Sequence, residues 1–449
     1  MSRVAMIGEN SIGYINTLID IWNNGDCAVL LDWRIPFATA EEMMIEADVH
    51  VCFIEKEIFD KLQTTIPDNI RFVTYEKQNV STELLPNRIY DKFQENYSGN
   101  EAVVIYSSGT TGKSKGIILS HYAINTNADA IIDYMMPQET DCMYITRSLT
   151  HSSTLTGELL VALKTNMQLL IGPIIVPPRC TLTNIEKFGV TIIGTNPLLL
   201  SMYCTEINSK KYKFSSLKKI YVSGSILDDR TYHLAHRTFA EQNIFNVYGL
   251  SELGPRVTAQ RENKSNSVGT AINGVEILII NEFGQIAMQG ERGIIHVKSE
   301  SLFLGYVSGN QKLESMYNDW FNTGDVGYMD SEKELHIVGR ADDMILINSH
   351  KIYPSDIEQK IQSVLNFKEC VVTKVVINNI DYLCCLYVTD LYETIEIQQS
   401  LRSILIPHEI PTFFLKIDSI PKNKNGKVLV NAVKKHIINK IEKRQTHES

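Results

Sequence analysis

Residues 104–121, Val-Ile-Tyr-Ser-Ser-Gly-Thr-Thr-Gly-Lys-Ser-Lys-Gly-Ile-Ile-Leu-Ser-His, restrict the possible folds of this chain more than any other stretch. An apolar, β-branched run at 102–106 predicts a buried strand. It breaks into six small or hydroxyl residues (107–112), passes Lys113 and Lys115, and re-enters an apolar run at 116–119. Such a loop suits an anion. Gly109 and Gly112 let backbone N–H groups converge, the hydroxyls of Ser107, Ser108, Thr110 and Thr111 add donors, and the two lysines add charge. A plain polar hairpin turn is the competing reading, and it leaves the hydroxyl run and the lysines unexplained. The loop is not a Walker A motif, because Ser107 stands where that pattern needs its first glycine. Residues 117–119 also predict a strand, not the helix whose N-terminus would hold phosphates.

Around this loop the chain alternates. Up to about residue 73, short apolar runs (4–7, 28–31, 49–54) interleave with helical patterns (12–22, 39–47), the βαβα rhythm of a parallel, layered α/β sheet. Residues 76–100 are polar and are expected to form a surface excursion. A helix is expected from 121 to about 134, a strand near 143–145 and a helix at 156–163. Strand-like runs at 191–193, 220–222 and 244–247 end in Gly194-Thr195-Asn196-Pro197, Ser223-Gly224-Ser225 and Tyr248-Gly249-Leu250-Ser251-Glu252. Strands that end repeatedly in small or polar residues build a site at the carboxyl edge of an α/β sheet. From 267 the texture turns to short, Gly-punctuated strands, predicting a β-rich subdomain over about 267–338. A further shift follows Gly339-Arg340-Ala341-Asp342-Asp343. The expected organisation is α/β: a large domain, 1–340, of layered sheets plus the β-rich subdomain, and a small α+β domain, 341–449.

Bulk properties narrow the class. At 449 residues the chain is too long for one ordinary core. Its 44% hydrophobic and 21% charged residues are those of a soluble globular protein. A net charge of −9 argues against nucleic acid as a general partner, and the basic tail, eight Lys/Arg against two Glu from Pro421, reads first as a solvated helix face. Eight cysteines without metal-ligand spacing read as buried thiols of a reducing compartment. The longest apolar stretch, 167–176, is too short to span a bilayer and is broken by Gly172 and Pro173. An apparent strand directly behind Met1 leaves no expected leader, so a cytoplasmic protein, monomer or homodimer, is the expectation.

Several residues carry candidate chemistry. Glu252, just past an apolar strand, is a candidate Mg²⁺ ligand, because Mg²⁺ prefers one or two carboxylates alongside phosphate oxygens. By itself it would be a surface acid. Asp325, in Asn322-Thr323-Gly324-Asp325-Val326-Gly327, sits in a Gly-flanked turn that suits a ribose diol or, equally simply, an Asx turn. Arg340 fits a ribose or phosphate contact, and an interdomain salt bridge equally well. Lys427, in Pro421-Lys422-Asn423-Lys424-Asn425-Gly426-Lys427-Val428, is a loop lysine able to bring an ammonium over a developing negative charge. Taken alone it reads as solvated.

These segments (106–121, 246–252, 323–325, 339–358 and 421–427) occur in order across essentially the whole chain. Together they resemble the adenylate-forming superfamily: acyl- and aryl-CoA synthetases, nonribosomal peptide synthetase adenylation domains and luciferase. The resemblance implies a two-step reaction, in which a carboxylate attacks the α-phosphate of ATP to give an acyl-adenylate and pyrophosphate, and a thiol then takes the acyl group. It implies that Ser107, Ser108, Gly109, Thr110, Thr111, Gly112, Lys113 and Lys115 hold the β- and γ-phosphates. Gly224, Ser225, Asn246, Val247, Tyr248 and Gly249 would form the adenine slot, with Tyr248 on the base; Asp325 and Arg340 would take the ribose. Ser251 would touch the α-phosphate, Glu252 would hold Mg²⁺, and Lys427 would stabilise the transition state. The small domain would be mobile about a hinge at Asp342.

For the acid, the resemblance places His151 near the carboxylate entry, where a buried structural histidine is the rival reading. His151, Ser152, Thr156, Gly194, Thr195, Ser223, Val247, Gly254 and Pro255 would line the pocket, a small and weakly polar set with room for an apolar acyl chain or ring. Three departures matter. The chain starts near the family's usual first helix, so part of one subdomain is expected to be reduced. Asn348-Ser349-His350 replaces a glycine pair of many CoA ligases, which bears on the thiol step. Ser152 replaces the Asp with which amino-acid-activating members meet an ammonium, favouring a fatty or aryl acid over an α-amino acid. The expected acceptor is CoA, or the phosphopantetheine of a carrier protein. A P-loop-like NTPase or kinase is the alternative from another class.

Overall fold

The structure, a computed structural model, describes residues 2–448 apart from 63–66, 68, 80, 109–113, 175, 210, 211, 213, 262–266, 310–315, 348, 349, 366, 378, 379, 390–393, 403 and 423–427. The first sheet has the strand order Gly305–Tyr306, Ser114–Ser120, Glu101–Ser108, Cys27–Asp32, Arg3–Gly8, Val51–Glu55, Arg71–Tyr75. From Glu101–Ser108 to Arg71–Tyr75 the neighbours are parallel. Parallel neighbours need crossovers, and the helices Ile12–Asn23 and Phe37–Glu46 provide two of them. Alternate side chains serve two cores: Val4, Met6, Ala28 and Leu30 face one apolar cluster, while Ala5, Ile7, Val29 and Leu31 face another. Ile12–Asn23 starts on Ser11, whose Oγ accepts from the Tyr14 N–H at 3.0 Å. Its Trp22 is buried and donates its indole N–H to the Ala102 carbonyl at 3.0 Å, tying helix to sheet.

The second sheet runs Thr270–Ala271, Arg256–Ala259, Asn243–Gly249, Lys219–Val222, Ile192–Thr195, Cys142–Tyr144, Gln168–Ile171, Glu83–Leu84. Its central strands are parallel, so their carboxyl ends collect on one edge. The polar stretch 76–100 lies mostly at the surface, as expected, but it also contributes to sheet and core. Glu83–Leu84 adds an antiparallel edge strand, and Leu85 and Ile89 are buried in the core; a two-residue strand is too short to show a period. The helix expected at 156–163 begins earlier, at Ser152, and its stretch Leu155–Leu160 is wound as a π-helix.

A third, antiparallel sheet joins Val275–Ile280, Gly293–Ser299 and Trp320–Met329, flanked by Met316–Tyr317 and Leu335–Arg340. Beyond it, Glu369–Ile377, Ile380–Val388 and Phe413–Lys416 form a separate sheet. One face carries Ile357, Ile361, Ile397 and Leu401 from the helices Pro354–Val364 and Thr394–Leu401, and the other carries Val433, Ile437 and Ile441 from Val430–Glu448. These two clusters draw only on residues from Ile345 onward. All eight cysteines are free thiols, and seven of them are buried. No helix among the described residues is long and apolar enough to cross a membrane.

Candidate active site

The strand pair Glu101–Ser108 and Ser114–Ser120 is antiparallel, with Ser107 opposite Lys115 and Ser108 opposite Ser114. A strand therefore follows the anion loop, as its sequence predicts. The tip itself, Gly109, Thr110, Thr111, Gly112 and Lys113, lies outside the described residues. Gly305–Tyr306 pairs with the outer side of this hairpin and brings a residue that sequence reading missed. The Tyr306 hydroxyl donates to Glu252 Oε1 at 3.0 Å, and Lys115 Nζ stands 5.2 Å from the Tyr306 ring centroid. Burial and the Glu252 charge both raise the Tyr306 pKa, keeping its O–H a donor. Glu252 follows the strand Asn243–Gly249 on the short turn Ser251–Leu253. The hydroxyl of Ser251 is 2.9 Å from that of Ser152, so the phosphate-side and acid-side candidates meet there.

Asp325 and Arg340 are cross-strand partners in the third sheet. Arg340 Nη1 donates to Asp325 Oδ1 at 3.1 Å and to the Thr323 carbonyl at 3.3 Å, and the Tyr248 hydroxyl donates to Asp325 Oδ2 at 2.6 Å. Burial raises the Asp325 pKa, opposed by the Tyr248 hydrogen bond and the Arg340 charge. Gly324 has φ +71°, and a Cβ there would stand 2.7 Å from Arg340 Nη2, so glycine fits both the backbone and the guanidinium. The sequence candidates Tyr248, Asp325 and Arg340 thus form one unit. Asn246 is buried, its side-chain amide donating to the Ser267 carbonyl at 2.9 Å, and Val247 is in the core. Gly224 and Ser225 are exposed beyond the strand Lys219–Val222. Gly249 ends its strand at a register shift. Asp342 lies in the turn after Leu335–Arg340, mostly exposed, 3.6 Å from Arg340 Nη2.

The acid-side candidates gather at the carboxyl edge of the second sheet. Gly194 and Thr195 end Ile192–Thr195, with the Thr146 hydroxyl donating to the Gly194 carbonyl at 2.7 Å. Thr156 is fully buried on the π-helical stretch, and Gly254 and Pro255 follow the Ser251–Leu253 turn. His151 opens to solvent at the head of that helix. Although part of the residue is exposed, desolvation by the protein packed around it lowers its pKa, and the charges of Arg147 and Arg34 push the same way against Asp32. Beside this set stands a charged pair that the sequence reading did not include. Arg147 Nη1 donates to Ser223 Oγ at 2.8 Å, and Nη2 donates to Glu158 Oε1 at 2.7 Å. The side chains of this pair are 10% and 5% exposed. Sequence reading missed it because a helical period does not anticipate a π turn. It missed Asn10 too, whose buried amide donates to the Arg147 carbonyl at 2.7 Å and accepts from the Leu149 N–H at 3.0 Å, joining the two sheets.

Lys427, Asn348 and Ser349 lie outside the described residues. Lys422 and Val428 pair across the ends of the lysine loop. His350 is exposed, its ring stacked 3.8 Å from that of His408. Among the described residues no group of three or more His, Cys, Asp or Glu converges as a metal cage.

Parallel sheets with polar strand ends, a strand hairpin near a carboxylate and an Asp–Arg–Tyr unit belong to one mixed α/β architecture. Comparison with known proteins narrows it: the family model for AMP-binding enzyme matches residues 1–307, and the chain belongs to that family. Indoleacetate–CoA ligase of Aromatoleum aromaticum is 25% identical over 467 residues, spanning 99% of this chain and 90% of the relative. The fatty acid–[acyl-carrier-protein] ligase ScoC of Streptomyces coeruleorubidus is 24% identical over 465 residues, spanning 95% and 85%. Among solved structures, the anthranilate CoA ligase AuaEII in complex with anthranoyl-AMP has a TM-score of 0.83 at 18% identity, covering 97% of this chain and 87% of that one. The mixed α/β fold of this chain is therefore that of adenylate-forming enzymes.

Proposed function

We propose that the protein activates a carboxylic acid, fatty or aryl, with ATP to an acyl-adenylate and pyrophosphate, and then passes the acyl group to a thiol, with CoA as the acceptor. The observation that supports this most is the juxtaposition at Ser152 and Ser251, whose hydroxyls stand 2.9 Å apart between the acid side and the Glu252 carboxylate. A carboxyl group on one side and an α-phosphate on the other would meet at that point. In-line transfer of this kind is accelerated by positioning and electrostatics, with no covalent enzyme nucleophile.

In this reading Ser107 to Lys115 hold the β- and γ-phosphates, Ser251 touches the α-phosphate and His151 sits at the carboxylate entry. Asp325 exchanges its Tyr248 and Arg340 hydrogen bonds for the ribose hydroxyls, and Tyr248 turns its ring to the base beside Gly224, Ser225 and Asn246. Glu252 with the phosphate oxygens fits Mg²⁺, which would spread the charge of the leaving pyrophosphate. Residues 341–449 act as a small domain that turns about Asp342 and delivers Lys427 to the reacting phosphorus.

The second reading, loading of a carrier-protein phosphopantetheine, is favoured by one observation: Asn348-Ser349-His350 carries side chains where many CoA ligases have a glycine pair. Acid-dependent ATP–pyrophosphate exchange tests the activation step. Lys427→Ala is expected to lower exchange by roughly a hundredfold to a thousandfold, yet to leave thiol transfer from supplied acyl-adenylate largely intact. Phosphate release without any acid would point instead to an NTPase, and equal loss of both half-reactions would remove the lysine from its role.

A further inference from the structure

The acid side of the site rests on a charged floor. Glu158 is 4% exposed, on the π-helical stretch that also carries Thr156. Its Oε1 accepts from Arg147, whose other terminal nitrogen holds Ser223. The same oxygen presses on the strand end: a Cβ at Gly194 would collide with it and would stand 3.1 Å from Arg147 Nη2. Two pocket candidates, Ser223 and Gly194, therefore touch the pair directly. Glu158 Oε2, Arg147 Nε and Thr156 Oγ1 are buried without a hydrogen-bond partner among the described residues. Arg256, 5% exposed with Nη1 likewise unpartnered, acts electrostatically on Glu158.

A half-satisfied buried carboxylate is costly, and an apolar tail laid against it offers no relief. A second carboxylate on the substrate would face Glu158. An ammonium would face two arginines against one glutamate. A neutral hydroxyl matches the chemistry of the unpartnered atoms, because it can give its proton to Glu158 Oε2 and accept from a free N–H of Arg147 or Arg256.

Resting on the adenylation reading above, we propose that Glu158 and Arg147 select the acid, and that the substrate class is carboxylic acids bearing a hydroxyl remote from the reacting carboxyl. A site built to bond such a group strongly rejects the analogue that lacks it.

The test uses matched acids in ATP–pyrophosphate exchange: benzoate against the ortho-, meta- and para-hydroxybenzoates, and octanoate against its terminal hydroxy derivative. At least one hydroxylated acid is expected to exceed its parent in kcat/KM by roughly a hundredfold. Glu158→Gln is expected to cut that preference by roughly tenfold or more. The double variant Arg147→Met/Glu158→Leu replaces the pair with apolar side chains, a change that buried ion pairs tolerate, and is expected to favour the parent acid, with thermal unfolding as the check on folding. Parent acids that match or exceed their hydroxylated partners in the wild type would overturn the proposal, as would an unchanged preference in a folded variant. The wild-type ratio decides even where a variant does not fold. Exchange with parent acids alone overturns this inference and leaves the adenylation reading standing; exchange with no acid at all overturns both.

Discussion

Two carboxylate–arginine pairs stand among the candidate site residues, and they are held in different ways. Asp325 and Arg340 stand opposite each other on paired strands, so backbone register alone brings them together. Arg147 and Glu158 are eleven residues apart, joined across a loop and an irregular helix, and only the packing of strand end, loop and π turn makes them meet. Arg340 is one-third exposed, whereas Arg147 and Glu158 are nearly sealed. A ladder pair is cheap to specify and open to exchange with a ligand. A packed pair is expensive to desolvate and suited to discrimination.

The sharpest way to break this distinction is to remove each arginine. Arg147→Ala would leave Glu158 as a lone buried charge and is expected to cost about 3–5 kcal/mol in urea unfolding. Arg340→Ala, partly solvated, is expected to cost about 1 kcal/mol or less. Equal losses would erase the contrast. Next in size, Asp325→Asn is expected to raise KM for ATP by roughly tenfold or more, with KM for the acid little changed. A larger shift in the acid constant would put Asp325 on the wrong side. Gly194→Ala, which forces the Glu158 head away from the strand end, is expected to lower stability by about 1–3 kcal/mol, read as a fall in Tm. The smallest effect is on pH. Burial raises the pKa of both carboxylates, so the folded chain holds those protons to higher pH than the unfolded chain does. Stability therefore falls as pH rises from the ordinary carboxylate range, about 4, towards the raised values. The double variant Asp325→Asn/Glu158→Gln is expected to flatten that slope in denaturation at a series of pH values; a slope as steep as wild type would contradict the assignment.

The same contrast explains what could be read from the chain. Asp325, Glu252 and the 107–115 loop announced themselves because turns and anion loops need particular residues next to one another, and that requirement is local. The strand behind the loop was legible from β-branched runs, and so was the β-rich texture after 267. Tyr306 was not, because a two-residue strand has no period, and its meeting with Glu252 depends on a distant hairpin. Leu85 and Ile89 were hidden in the same way within a polar stretch. Asn10, Arg147 and Glu158 owe their positions to contacts between the two sheets and to a π turn, and neither is written in any spacing.

The most direct measurement is mass spectrometry of the nucleotide products formed from ATP, Mg²⁺ and a mixed pool of plain and hydroxylated acids. The expected result is pyrophosphate together with one dominant acyl-AMP, whose mass carries a hydroxyl substituent. ADP and phosphate in place of any acyl-AMP, whatever acid is offered, would contradict the account.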